Sequence, residues 1–322
     1  MSDVGSTESP KSGGVGLAGA GAGVSIDTTT DLQHAVEDAA AHLYVWALKD
    51  IPQDLRDALA DARDKETSVP GRRVLDVIHR NVNVADSEKN LVCQDTGIAV
   101  FHARVGEHFP LHPSRIYEAL RDGTARATIE HPLRSNAVHT ITRENTGPNI
   151  GYRLPIVHWD FVPDWDGLDV KCVPKGSGSE NMSFLKMCVP ADGVKGIKQF
   201  VLESIVGAGG KPCPPGIVGV GIGGSADYAM HLAKEAIMRP IGTRNPDPIV
   251  AELEDELFGL LNETGIGPMG LGGDVTVLQC HIEHADTHMT LNPVAVNYQC
   301  WAARRASAHV RATGEIEYDR EA

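Results

Sequence analysis

Beyond residue 30 the apolar positions fall into short regular groups. Leu32, Val36, Ala39, Ala40, Leu43 and Trp46 recur at helical spacing, with Thr30 or Asp31 as the N-cap. Pro52 and Pro70 each stand where a new helix would start. Residues 30–82 therefore read as three helices. Ile98–Val105 then reads as a strand, and Pro113–Ile129 as a helix with Ile116, Leu120 and Ala127 on its inner side. Two β-like runs, Ile156–Val162 and Leu168–Val173, flank Pro163-Asp164-Trp165-Asp166-Gly167, and this turn chemistry predicts a hairpin. Further helices are expected over Val194–Val206, Ala226–Met238 and Pro248–Asn262, and strands over Gly216–Ile222, Val275–Ile282 and Val294–Gln299. Helices and strands mix without strict alternation, so the expected class is α+β. A helix-rich N-terminal segment, about residues 29–90, precedes a mixed α/β part, about residues 91–322. Residues 1–28 are Gly, Ser and Ala with little periodicity, and predict a disordered tail.

Composition narrows the classes. Of 322 residues, 29 are Lys or Arg and 43 are Asp or Glu, a formal net charge of −14. That balance argues against broad nucleic-acid binding, which needs a basic face. A local arginine pocket for an anionic small molecule remains compatible with it. No apolar run approaches the ~18 residues of a membrane span. The N-terminus lacks the charged and apolar regions of a secretory signal, so a cytoplasmic location is expected. Six cysteines are too sparse for a disulfide scaffold, and read as thiols or metal ligands. Glycine is the outlier at 34 residues, well above the usual ~7%.

Several short stretches carry possible chemistry. Cys93-Gln94-Asp95-Thr96-Gly97 places a thiol, an amide, a carboxylate and a hydroxyl in succession between a helical segment and a strand. A capped turn with a buried cysteine explains it as well. Cys213 lies among Pro212, Pro214 and Pro215, and a rigid thiolate suits a metal. Gly219-Val220-Gly221-Ile222-Gly223-Gly224 matches G-x-G-x-x-G ahead of a helix, the dinucleotide fingerprint. No acid follows at the expected distance, and close packing of a glycine-rich strand against another backbone is an equal reading. Cys280, His281, His284, His288 and Cys300 invite a zinc reading, but no cysteine pair has C-x₂₋₄-C spacing. Arg134 is a candidate for bidentate carboxylate recognition, with a surface ion pair as the alternative. Lys175–Ser183 offers backbone N–H groups and hydroxyls that could cradle an anion, or is a mobile loop.

Taken together and in order, CQDTG (93–97), LRSNAV (133–138), KGSGSENMS (175–183), CPPGIVGVGIGG (213–224) and PVAVNYQCW (293–301) resemble the class I iron–sulfur fumarate hydratase and L(+)-tartrate dehydratase family, alpha subunit. The resemblance spans roughly residues 30–312. It implies a [4Fe–4S] cluster held by Cys93, Cys213 and Cys300, with Cys172, Cys188 and Cys280 at no ligand position. Three thiolates leave one iron open as a Lewis acid. The implied reaction is reversible hydration of fumarate to L-malate. L(+)-tartrate dehydration, or mesaconate hydration, is the alternative. The matching substrate-binding positions are Gln94, Asp95, Arg134, Gly176, Ser177 and His288. Asp95, Thr96 and His288 are the implied catalytic residues. The base that takes the carbon-bound proton is expected from a beta-type hydro-lyase subunit, in an α₂β₂ assembly acting on a small dicarboxylate. The competing readings are an NAD-dependent oxidoreductase and a non-catalytic iron–sulfur scaffold.

Overall fold

The computed structural model describes residues 28–319. The expected tail lies outside these residues except for Thr28, the first residue of a helix. In chain order the elements are α1 (Thr28–Lys49), α2 (Gln53–Lys65), α3 (Val69–Glu88), β1 (Ile98–Gly106), α4 (Pro113–Glu130), β2 (Ile156–Val162), β3 (Leu168–Lys175), α5 (Ser177–Glu180), β4 (Ser183–Cys188), α6 (Gly193–Ala208), β5 (Gly216–Gly224), α7 (Ala226–Ala236), α8 (Pro248–Asn262), β6 (Val277–Thr287), β7 (Asn292–Gln299), β8 (Ala306–Val310) and β9 (Ile316–Asp319). The α+β class and the three opening helices agree with the periodicity. Local chemistry sets the starts: the Ser68 hydroxyl accepts from Gly71 N at 3.4 Å, and Pro70 stands in the first turn of α3.

The first sheet has the order β2-β1-β3-β8-β9. β1 runs parallel to β2 and antiparallel to β3, and it lies between them. The expected β2–β3 hairpin is therefore corrected. β1 is an apolar strand able to be buried on both sides, and it takes a ladder partner on each edge. The turn residues bond to the end of β1 instead: Gly106 N donates to Gly167 O at 2.9 Å and His108 N to Trp165 O at 2.8 Å. Helices α1 and α4 cover this sheet. Leu43, Leu48, Phe101, Ile116, Leu120, Leu168 and Val170 form one buried core.

The second sheet has the order β4-β7-β5-β6, with β5 and β6 parallel and the other pairs antiparallel. Val218, Val220, Val294 and Val296 pack with Val201 and Ile205 of α6 and Leu257 and Leu261 of α8. On the opposite face α7 approaches β5 closely. A Cβ at Gly219 would stand 2.2 Å from Ala233 O, and one at Gly221 2.0 Å from Ala229 O. The G-x-G-x-x-G pattern thus lets a helix backbone rest directly on a strand. This packing explains the glycines without a nucleotide.

Candidate active site

The geometry starts from strand register. β5 and β7 are antiparallel neighbours with Ile217 opposite Gln299, so the start of one and the end of the other share an end of the sheet. Cys213 precedes β5 and Cys300 follows β7, and Trp301 N donates to Cys213 O at 3.1 Å. The loop from α3 to β1 brings Cys93 to the same place. The Cys213 thiol is pushed up by burial, then by the Cys300 and Cys93 sulfurs and by Asp95, all within electrostatic reach. Cys213 itself has φ 57°, so its loop turns sharply at the thiol.

All six cysteines are free thiols. Cys93 and Cys300 are half-buried and Cys213 is exposed, whereas Cys172, Cys188 and Cys280 are buried. Burial raises the Cys172 and Cys280 thiols far above their ordinary value, so these two are inert apolar fillers. The three converging cysteines form a soft donor set, open on one side, of the kind that suits an iron–sulfur cluster. Among the described residues, the group whose donor atoms all lie within 4.8 Å of one another is Glu107, His108 and Asp164, an exposed set on the β1 and β2 ends. The zinc reading of residues 280–300 fails on topology. His281 and His284 lie on strand β6, three residues apart and on opposite faces, one buried and the other exposed.

Asp95 joins the first cysteine loop to the loop after β3. Its Oδ1 accepts from Gly97 N at 2.9 Å, and its Oδ2 from Ser177 N at 2.8 Å and Ser177 Oγ at 3.3 Å. Burial pushes its carboxyl up, but the Ser177 and Gly97 N–H donors and the Arg304 charge outweigh that, and the carboxyl is held below its ordinary value. Gly176 makes the contact possible: a Cβ there would meet Asp95 Oδ2 at 3.0 Å and Arg304 Nη2 at 3.2 Å. Arg304, 2% exposed, donates from Nη1 to Asp95 O, while its buried Nε has no hydrogen-bond partner among the described residues.

Arg134 is anchored through its backbone. Its carbonyl accepts from Thr96 Oγ1 at 2.6 Å and from Asn149 Nδ2 at 2.9 Å. Asn136 Nδ2 reaches Thr96 Oγ1 at 2.9 Å, Gly97 O at 3.2 Å and Asp95 Oδ1 at 3.3 Å. The Arg134 side chain is exposed, as is Gln94 next to Cys93. Thr96 is buried, with its hydroxyl committed to the Arg134 backbone, so it positions that loop. Sequence alone does not single out Asn136, Asn149 and Arg304. Their signal is a polar side chain in a loop, buried for Asn149 and Arg304 and part-buried for Asn136, visible once the fold is known.

Beneath these loops lies a buried charge cluster. Lys175, 3% exposed, donates to Tyr298 O at 2.6 Å and Ser179 Oγ at 2.9 Å, and pairs with Glu180 at 3.6 Å. Glu180 also pairs with Lys234 at 2.5 Å. Burial draws the Lys175 ammonium down to about 8, against the pull of Glu180 and Cys300 that favours its charged form.

The structure brings together Cys93, Gln94, Asp95, Thr96, Arg134, Gly176, Ser177, Cys213 and Cys300. It does not bring His288 to them. His288 is exposed in the turn between β6 and β7, its Nδ1 2.9 Å from Thr290 Oγ1. In the register of β5 with β6, Gly216 pairs with Val277 and Gly224 with Thr287. His288 therefore stands at the far end of the sheet, on the order of 25 Å from the cysteines at ~3.3 Å per strand residue.

Comparison with known proteins decides the family. The sequence model described as fumarate hydratase (Fumerase) matches residues 37–309, a span that includes all three converging cysteines. The chain belongs to the fumarate hydratase (Fumerase) family. This Fumerase-family chain is a hydro-lyase enzyme. A Methanocaldococcus jannaschii protein, provisionally named L(+)-tartrate dehydratase subunit alpha, is 43% identical over 283 residues, 87% of this chain and 99% of the relative. The L(+)-tartrate dehydratase subunit alpha of Escherichia coli strain UTI89 is 40% identical over 262 residues, 81% of this chain and 86% of the relative. The Shigella sonnei protein of the same name is 39% identical over the same length. No helix among the described residues is long and apolar enough to cross a membrane.

Proposed function

We propose that the chain is the alpha subunit of an iron–sulfur L(+)-tartrate dehydratase. The observation that carries the cluster is the convergence of Cys93, Cys213 and Cys300, open to solvent on one side, while the other three cysteines are buried or set apart. The names of the relatives support tartrate over fumarate, and so reverse the order of the two readings that the resemblance implied. Fumarate hydration is the second reading, favoured by the family description. When bound, a [4Fe–4S] cluster on these three thiolates supplies a Lewis-acidic iron open to a substrate oxygen.

The remaining work falls to side chains. The exposed guanidinium of Arg134 offers a two-pronged partner for a substrate carboxylate. Thr96, Asn136 and Asn149 hold its backbone in place, so little order is lost when the carboxylate binds. Gln94 and the Gly176–Ser177 turn are the further substrate-binding positions in this reading. Asp95 holds that turn against the Cys93 loop. A beta-type subunit supplies the proton-abstracting base in this reading, consistent with relatives named as alpha subunits. His288 enters only through a second alpha chain, which an α₂β₂ assembly provides. A cytoplasmic location belongs to the same reading.

The test is a substrate comparison. The chain is co-expressed with its beta partner, purified without air and assayed with L(+)-tartrate and L-malate. A higher kcat/KM for L(+)-tartrate is expected. A higher value for L-malate establishes the fumarate reading, and no dehydration of either refutes both.

A further inference from the structure

Three charged groups are packed behind the Cys300 segment without balancing one another. Lys175 and Lys234 both face Glu180, so two ammonium groups share one carboxylate. Asn297 Nδ2 approaches the same carboxylate at 3.4 Å and adds no charge. Lys175 is the deeper cation, and its Nζ is bonded to Tyr298 O, two residues before Cys300. A buried charge is costly unless an opposite charge meets it. The sulfur of Cys300 lies within electrostatic reach of the Lys175 ammonium. A cysteine that holds a cluster does so as a thiolate. Counted with that thiolate, two positive and two negative charges close the cluster of groups.

We propose that Lys175 is a positioning residue that orients the Cys300 strand end through Tyr298 and supplies the countercharge behind the Cys300 corner of the cluster, thereby raising the cluster's reduction potential. This rests on the proposed cluster. Glu180 and Lys234 form the outer layer of the same device, since Glu180 pairs with both lysines and Lys234 is the more exposed of the two. Removing a fixed positive charge beside an iron–sulfur centre favours its oxidised state.

The experiment is an anaerobic redox titration, followed by electron paramagnetic resonance, of the reconstituted complex with its beta partner. Lys175→Met, Lys175→Arg and Lys234→Met are compared with wild type, with thermal unfolding run alongside. Lys175→Met is expected to shift the ratio of reduced to oxidised cluster at least tenfold toward oxidised, 59 mV for one electron. Lys175→Arg, which keeps the charge, recovers most of that shift. Lys234→Met, partly exposed and one carboxylate further away, gives a smaller shift in the same direction and decides the matter if Lys175→Met does not fold. An unchanged potential and spectrum in both methionine variants, with the cluster retained, overturns the proposal. Equal shifts in Lys175→Met and Lys175→Arg overturn it too, because they point to packing and not charge. A wild-type protein that takes up no cluster refutes the proposed function itself, and is told apart because it precedes any variant.

Discussion

Asp95→Asn tests the junction on which the site is built. The carboxylate takes Gly97 N at 2.9 Å on one oxygen and Ser177 N at 2.8 Å on the other. Asparagine can keep one acceptor, but it turns an NH₂ toward the second N–H donor. A hydrogen bond to a charged group contributes about 1.5–3 kcal/mol, and a donor left without a partner costs about 1–3 kcal/mol. Asp95 is half-buried, so solvent screening puts the sum at the low end, about 2–3 kcal/mol. Urea unfolding of the cluster-free protein at pH 7 measures it, apart from any effect on catalysis. The pH dependence carries a sign. A carboxyl held below its ordinary value contributes stability above the unfolded-state value, about 3.9, and loses it as pH falls through the folded value. The gap between wild type and Asp95→Asn should hold from pH 8 to pH 5 and close below pH 4. A loss under about 0.5 kcal/mol at pH 7, at the level of an ordinary surface change, or a gap that widens in acid, refutes the reasoning.

Gly221→Ala should destabilise the chain by about 1–3 kcal/mol or more, because its Cβ would press 2.0 Å from Ala229 O and α7 would have to move; an unchanged melting temperature contradicts the packing account of the glycine motif. The same account expects no NAD(H) binding in an equilibrium titration, and a measurable affinity contradicts it. Burial holds His102 at about 2, with His158, His231 and two lysines adding to it, and holds His281 at about 3, with Arg239 adding. Both are neutral when folded, so their stabilisation is full above the unfolded value of ~6.5 and falls away in acid, by about 2 kcal/mol each at pH 5. His281→Leu should flatten the acid limb of the stability curve by that amount, and superimposable acid limbs refute the assignment.

The elements legible in the sequence were those with a strong internal period, such as α1 and α4, or a long apolar run, such as β1 and β5. Pairing was not legible, because it depends on distant partners. The turn at residues 163–167 looks like a hairpin locally, yet β1, more than fifty residues earlier, outcompetes β2 for β3. β4, β8 and β9 are short, and Ser183–Cys188 shows no alternation, so ladder pairing with β7 is what makes it a strand. The site splits along the same line. The cysteine loops could be read from their motifs and the family resemblance, but their meeting follows from the β5–β7 register. His288 shows the limit: twelve residues from Cys300 in the chain, it is a full strand away in space because β7 runs between them. Lys175 and Arg304 carried no local signal, since a buried cation is defined by what folds over it.

The most direct measurement of the central claim is the iron and acid-labile sulfide content of the protein purified and reconstituted without air, in wild type and in single cysteine-to-serine variants. Near four irons and four sulfides per chain are predicted for wild type and for Cys172→Ser, Cys188→Ser and Cys280→Ser, with a severe loss in Cys93→Ser, Cys213→Ser and Cys300→Ser. A wild-type protein holding zinc or no metal, or a cluster that survives in all three of the latter variants, would contradict it.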